Sequence, residues 1–240
     1  MTAIILQARI DSSRLPGKAL LPLGGEPVVL RVMQALNRVP ADLRVLACSE
    51  DSFRDFSPLA RNASFEILAG LKYDVLERFC QVIRKFSIDN PAADSGASNS
   101  SARITRVIRA TGDNPFVFAD AASSINIEAQ SFNADYAGYL ELPYGAGVES
   151  AASSALLRAA SESALPSDRE HVCSYLYNNP NLFKIHRPLA PSRWNNPDIR
   201  LTIDTREDYQ RACVLYSALD KEEQRYNGET IIKKYVEIFP

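Results

Sequence analysis

Short apolar runs rich in β-prone residues recur along the chain: IILQA at 4–8, LRVLACS at 43–49, SFEIL at 64–68, ITRVIRA at 104–110 and IRLTID at 199–204. Between them lie stretches whose apolar residues return every three or four positions, from Pro27 to Val39, Tyr73 to Phe86, Asp168 to Tyr177 and Glu207 to Leu219. In the second of these, Val75, Leu76, Phe79, Val82, Ile83 and Phe86 mark one face of a helix. Apolar runs alternating with helical periods predict βαβ units, and so an α/β fold with a mostly parallel sheet flanked by helices. Residues 89–102, DNPAADSGASNSSA, have no period and read as a flexible surface loop between a helix and a strand, because the pattern resumes unchanged after them. Residues 133–147, with their tyrosines, glycines and Pro143, are the least regular and suit an excursion from the sheet toward a substrate or a subunit.

A chain of 240 residues, 46% of them hydrophobic, is long enough to bury a full core, and residues 1–240 are expected to form a single domain. Lys plus Arg number 27 against 29 Asp plus Glu, a formal net charge of -2, so no global field attracts nucleic acid or an anionic membrane and any anion site must be local. The apolar start, Ala3 to Leu6, is too short for a signal segment and runs into Arg9 and Asp11, and no later run reaches membrane-spanning length. A cytoplasmic protein without membrane insertion is expected. Cys48, Cys80, Cys173 and Cys213 lie far apart and read as reduced core or near-core residues; with only His171 and His186, the chain argues against a histidine-based metal site.

The densest chemistry follows the first strand, in LQARIDSSRLPGKALLPLGGEP at 6–27. Beyond Ala8, the residues Arg9, Ser12, Ser13, Arg14, Gly17 and Lys18 place hydroxyls, three cations and a permissive glycine within ten positions. The C-terminal strand edge of an open α/β sheet is where ligands bind, and a polyphosphate is matched there by turn N–H groups with fixed Arg and Lys side chains. A solvated basic turn is the alternative for such a loop taken alone. It is not a Walker A loop, since Ser12 stands where the first glycine belongs and Ala19 where Ser or Thr binds magnesium; a Rossmann glycine fingerprint is absent as well. Two aspartates end apolar runs, Asp113 in TGDNP and Asp204 in TIDT. Each is a perch for a metal ligand, with an Asx-turn as the alternative for Asp113. For Asp204 the alternative is the cap of the helix beginning near Glu207, a role open to Thr205 too.

The 6–27 segment resembles the R-x-x-S-x-R-L-P-G-K signature of cytidylyltransferases related to the spore coat polysaccharide biosynthesis protein F group, which are similar to the ketodeoxyoctonate and acylneuraminate cytidylyltransferases. The likeness continues through ACSEDS at 47–52, YDVLERF at 73–79, RATGDNPF at 109–116, DREHVCSYLYNNP at 168–180 and RLTIDTREDY at 200–209. It implies a Rossmann-like nucleotide-diphospho-sugar transferase fold and attack of a sugar or sugar-acid hydroxyl on the α-phosphate of CTP, giving a CMP-sugar and pyrophosphate. It also implies Mg²⁺ held by Asp113 and Asp204, with Arg14, Lys18 and Asp113 in catalysis. Nucleotide contacts fall to Ala8, Arg9, Ser12, Ser13, Arg14, Lys18, Ser49 and Arg78; acceptor contacts fall to Glu149, Arg169, Glu170 and His171. A homodimer is an arrangement that similar enzymes adopt.

Lys18 is expected to face ligand without a core carboxylate as partner, and Arg169 to pair with an acceptor carboxylate. Asp74 and Arg78 have the spacing of an ordinary i, i+4 surface pair as their alternative. Trp194 reads as a loop anchor rather than a sugar-stacking ring. Relatives commonly have glycine at Asp11, cysteine at Asn114 and aspartate at Gly147. An acidic Asp11 suits a triphosphate loop only if it points away or touches metal. The competing readings are another nucleoside triphosphate or a sugar phosphate as substrate, and a catalytically silent nucleotide-binding or assembly protein.

Overall fold

The computed structural model describes residues 1–87, 103–219 and 221–240; the loop expected at 89–102 lies outside the described residues. The elements run β1 (Thr2–Ala8), β2 (Pro22–Leu23), β3 (Glu26–Pro27), α1 (Val28–Leu36), β4 (Leu43–Ser49), α2 (Phe53–Asn62), β5 (Glu66–Gly70), α3 (Val75–Phe86), β6 (Arg106–Thr111) and α4 (Ala119–Ser131). They continue through β7 (Tyr136–Ala137), β8 (Glu149–Ala152), α5 (Ser153–Glu162), α6 (Pro166–His171), α7 (Ser174–Asn178), β9 (Ile185–His186), α8 (Arg206–Ala218) and α9 (Gly228–Ile238).

The main sheet has the order β5-β4-β1-β6-β8-β7-β9, and β2 pairs with β3 apart from it. Strands β5, β4, β1 and β6 are parallel, whereas β8 runs antiparallel to both β6 and β7. The sheet is therefore mixed and mostly parallel. The two-residue period of β1 explains its burial on both faces. Ile4, Leu6 and Ala8 pack with α1, α2 and α4, while Ala3 and Ile5 pack with α3, α5 and α7. No helix among the described residues is long and apolar enough to cross a membrane. Cys48, Cys80 and Cys173 are buried and Cys213 is half-buried, all four as free thiols.

Two expected elements differ. IRLTID is not a strand of the main sheet; it is an extended segment whose Ile199, Leu201 and Ile203 are buried in a third cluster with Phe116, Phe118 and Trp194 under α8 and α9. It is apolar because helices cover it, which a strand and a buried connection share. The helix expected over Asp168–Tyr177 is two helices, α6 and α7, broken at Val172, whose φ of 57 lies in the left-handed region. Trp194 is 1% exposed and its Nε1 donates to Asp120 Oδ2 at 3.1 Å, an anchor within the third cluster.

Candidate active site

At the C-terminal edge of β1 and β6 the chain leaves a cavity of about 540 Å³, within the ~300–1,000 Å³ range of small-molecule sites. The loop after β1 forms one wall. Gly17, at φ 70, turns it back so that its N–H donates to Ile10 O at 3.1 Å, and Ile10 N–H donates to Ser52 Oγ at 3.2 Å. Ala8, Arg9, Ser12, Ser13, Arg14 and Lys18 thus line the same cavity. Asp11 does not: its carboxylate turns onto Lys72 Nζ, 2.7 Å away, so its charge is kept off this wall.

Asp113 and Asp204 lie 91 positions apart and meet in the cavity. They meet through the extended segment rather than through two strand ends. Ile203 N–H donates to Asp113 O at 2.9 Å, and Leu201 N–H to Tyr144 O at 2.8 Å. Gly145 makes the second contact possible: at φ 93 it brings its Cα side against Thr202, where a Cβ would lie 2.6 Å from the backbone nitrogen. Thr205, not Asp204, caps α8, its hydroxyl accepting from Asp208 N–H while Asp208 Oδ2 accepts from Thr205 N–H at 3.0 Å. Asp204 is left free to face the cavity.

Contrary to the expectation of an unpartnered Lys18, its Nζ lies 2.6 Å from Asp113 Oδ2 and 2.8 Å from Asp204 Oδ1. Arg14 Nη2 lies 3.3 Å from the same Asp204 oxygen, and Arg200 Nη2 donates to Asp204 Oδ2 at 2.8 Å. Burial works against the Asp204 charge, but Lys18, Arg14 and Arg200 outweigh it and hold the carboxyl below the usual carboxylate range. Asp208 behaves likewise: burial opposes its charge, yet Arg200 and the backbone N–H groups of Asp204 and Thr205 bring it from 3.8 to about 2. In the unfolded chain both carboxyls regain ordinary values, so their contribution to stability is complete above about pH 4 and is lost as pH falls toward the folded values. The melting temperature is expected to hold down to about pH 5 and to drop below about pH 4. A thermal melt series in Asp208→Asn should show a shallower acid limb; an unchanged limb would place the acid sensitivity elsewhere.

The remaining expected residues divide. Arg78 lines the cavity, but its side chain is buried, with Nη1 donating to Leu71 O at 2.9 Å and Lys72 O at 3.3 Å, so it forms no i, i+4 surface pair. Its Nε has no hydrogen-bond partner among the described residues, and burial disfavours its charge. Glu149, Glu170 and His171 line the cavity. Arg169 does not; it donates to Asp74 Oδ2 at 2.6 and 3.0 Å, pinning the residue that caps α3. Ser49 also stays outside the wall, its buried hydroxyl tied to Asp51 Oδ1 at 2.5 Å and Ser52 Oγ at 2.9 Å behind the loop. Arg109, Gln7, Tyr144, Tyr177 and Thr202 also line the cavity, and sequence reasoning missed them. The signal for Arg109 was a charge set among apolar residues near the C-terminal end of a strand, the edge where ligands bind. It pairs with Glu149 across β6 and β8, and its Nε donates to Gln7 Oε1 at 3.0 Å.

The family described as "Cytidylyltransferase" matches residues 3–233. The spore coat polysaccharide biosynthesis protein SpsF of Bacillus subtilis (strain 168) is 34% identical over 220 residues, 88% of this chain and 85% of that protein. A cytidylyltransferase from Leptospira borgpetersenii serovar Hardjo-bovis superposes with a TM-score of 0.80 at 22% identity over 99% of this chain and 92% of its own. A CMP:2-keto-3-deoxy-manno-octonic acid synthetase complexed with CTP gives a TM-score of 0.66 at 14% identity over 90% of this chain and 98% of its own. At those identities the two structures establish a shared nucleotidyltransferase fold.

Proposed function

Since the chain belongs to the cytidylyltransferase family, we propose that it transfers a cytidylyl group from CTP to a hydroxyl of a sugar or sugar acid, giving a CMP-sugar and pyrophosphate. The setting is cytoplasmic biosynthesis of a surface polysaccharide. The observation that supports this reading best is the convergence of Asp113 and Asp204 on one point, 2.6 and 2.8 Å from Lys18 Nζ, in a cavity walled by Arg9, Ser12, Ser13 and Arg14.

That convergence also tests the fit to magnesium. Two carboxylate oxygens about one cationic point, beside a wall of phosphate-binding groups, are the hard-oxygen set that Mg²⁺ takes together with substrate phosphates. Asp113 and Asp204 are the residues that would hold it. The chemistry it supplies when bound is neutralisation of phosphate charge and acidification of the attacking hydroxyl. The chain's own groups do the rest. The hydroxyls of Ser12 and Ser13 and the guanidinium of Arg9 hold the triphosphate along the loop, with Ala8 beside it. Arg14 and Lys18 stabilise the charge that builds on the β- and γ-phosphates as the α–β bond breaks. Arg78 stands at the base, Glu170 and His171 at the acceptor, and Arg109 with Glu149 behind it completes that wall. Arg169 acts through Asp74, and Ser49 through Ser52 and the loop, as positioning residues.

A thermal-shift comparison of CTP, ATP, GTP and UTP with Mg²⁺ tests the assignment. CTP is expected to raise the melting temperature most, since a ligand that binds only the folded state stabilises it by about 2.7 kcal/mol at a hundredfold excess over its Kd. Pyrophosphate release with an acceptor panel follows from the same samples. Equal shifts for all four nucleotides would remove the cytidine assignment.

A further inference from the structure

Lys18 stands where the functional reading puts a divalent cation. Its side chain is 12% exposed, and its Nζ bonds Asp113 Oδ2 at 2.6 Å and Asp204 Oδ1 at 2.8 Å. An ammonium and a divalent cation cannot share that point, because both need the same oxygens and repel each other at close range. The second oxygen of Asp204 accepts from Arg200, so both oxygens of that residue already face cations. Charge balance points the same way: Lys18 and Arg14 match the two carboxylates, and Arg200, which also serves Asp208, adds to Asp204, so the chain neutralises its own cation site.

What would move Lys18 lies in the same cavity. Arg9, Ser12, Ser13 and Arg14 line the wall next to it, and a triphosphate held there presents more negative charge to an ammonium than Asp113 together with an Asp204 already shared with Arg14 and Arg200. Lys18 begins a single 3-10 turn directly after Gly17, and its four-carbon stem lets the ammonium travel without moving the backbone.

We infer that Lys18 is a place-holding cation: it closes the Asp113–Asp204 pair until a nucleoside triphosphate draws it off, so that the divalent cation enters with or after the nucleotide and not before it. The inference rests on the nucleotidyl-transfer reading. Coupling between two ligands is reciprocal, so the triphosphate and the cation raise each other's affinity, and Lys18 carries part of that coupling.

One substitution should then act with opposite sign on the two ligands. In nucleotide-free protein, Mn²⁺ binding followed by the free-ion electron paramagnetic resonance signal is expected to tighten by about tenfold or more in Lys18→Met, because a competing charge is gone. In EDTA, CTP binding followed by calorimetry is expected to weaken by about tenfold or more in the same variant, because the phosphates lose a charge-assisted contact. Lys18→Arg keeps the charge and should bind Mn²⁺ as weakly as the natural chain. Lys18→Gln provides the same pair of measurements if the methionine variant loses its far-ultraviolet circular dichroism. A merely structural lysine would weaken both ligands when replaced. Mn²⁺ affinity that stays level or falls in the charge-removing variant, Lys18→Met or its stand-in Lys18→Gln, overturns the inference, and so does CTP affinity in EDTA that does not change in that variant. The Mn²⁺ arm contains no nucleotide, so failure of the cytidylyl assignment, read as absent CTP binding by the natural chain with Mg²⁺, is separate from failure here.

Discussion

Asp113→Asn and Asp204→Asn are each expected to lower magnesium-dependent turnover by on the order of a hundredfold or more, with the double variant scarcely worse than either. Both carboxylates lie within 2.8 Å of a single point, Lys18 Nζ, and groups that act through one shared ion form a unit whose losses do not add. The opposite forecast for Asp204 came from a cap role, in which asparagine serves as well as aspartate. That escape is closed, because Thr205 and Asp208 form the reciprocal box at the start of α8. Loss of the fold is not the expected cause of lost turnover either: in Asp204→Asn, Arg200 keeps Asp208 as partner at 3.0 Å, and Arg14 is 64% exposed and returns to water. Turnover measured against Mg²⁺ concentration in the natural chain and the three variants, with melting temperatures alongside, decides the matter. An active Asp204→Asn enzyme with unchanged magnesium dependence would sink the two-carboxylate arrangement and leave Asp113 alone.

Which parts of this site could be read from the chain follows from how local their causes are. The loop after β1 was legible because its cations, hydroxyls and Gly17 lie within ten positions and directly follow an apolar strand. Helix α3 was legible because Val75, Leu76, Phe79, Val82 and Ile83, all buried, repeat at the helical period. IRLTID misled because burial under α8 and α9 leaves the same apolar signature as a sheet strand. The break at Val172 had no warning, since a β-branched residue at φ 57 carries none of the Gly or Asn signal that marks such a conformation. Lys18 was misjudged because its partners lie 95 and 186 positions away, and Arg169 because Asp74 is equally remote; no local pattern encodes such pairs. The departure from the family pattern at Asp11 is met in the same long-range way, by Lys72.

Glu149→Leu is expected to destabilise the protein by about 3 kcal/mol, the lower end for stranding one member of a buried ion pair. For a chain of this size that corresponds to a fall in melting temperature of roughly 6–12 °C. Glu149 stands directly opposite Arg109 in the β6–β8 register, and both its oxygens are committed within the protein, one to Arg109 and Oε1 to the Tyr136 hydroxyl at 2.9 Å. Burial works against the Arg109 charge and the Glu149 carboxylate outweighs it; burial, and then the same carboxylate, push the Tyr136 phenol up. Removing Glu149 therefore strands a guanidinium and a phenol together. The lower end applies because the two charged side chains are still 16% and 20% exposed. In the double variant Arg109→Met with Glu149→Leu most of the stability should return, because an apolar pair of similar volume commonly replaces a buried ion pair without loss. Turnover should not return with it, since Arg109 faces the cavity and Glu149, expected as an acceptor contact, acts by holding it. Thermal melts and pyrophosphate release on the natural chain, both single variants and the double variant give the cycle. A double variant that recovers both stability and turnover would reduce the Arg109–Glu149 pair to a cross-strand support and leave the acceptor wall to Glu170 and His171.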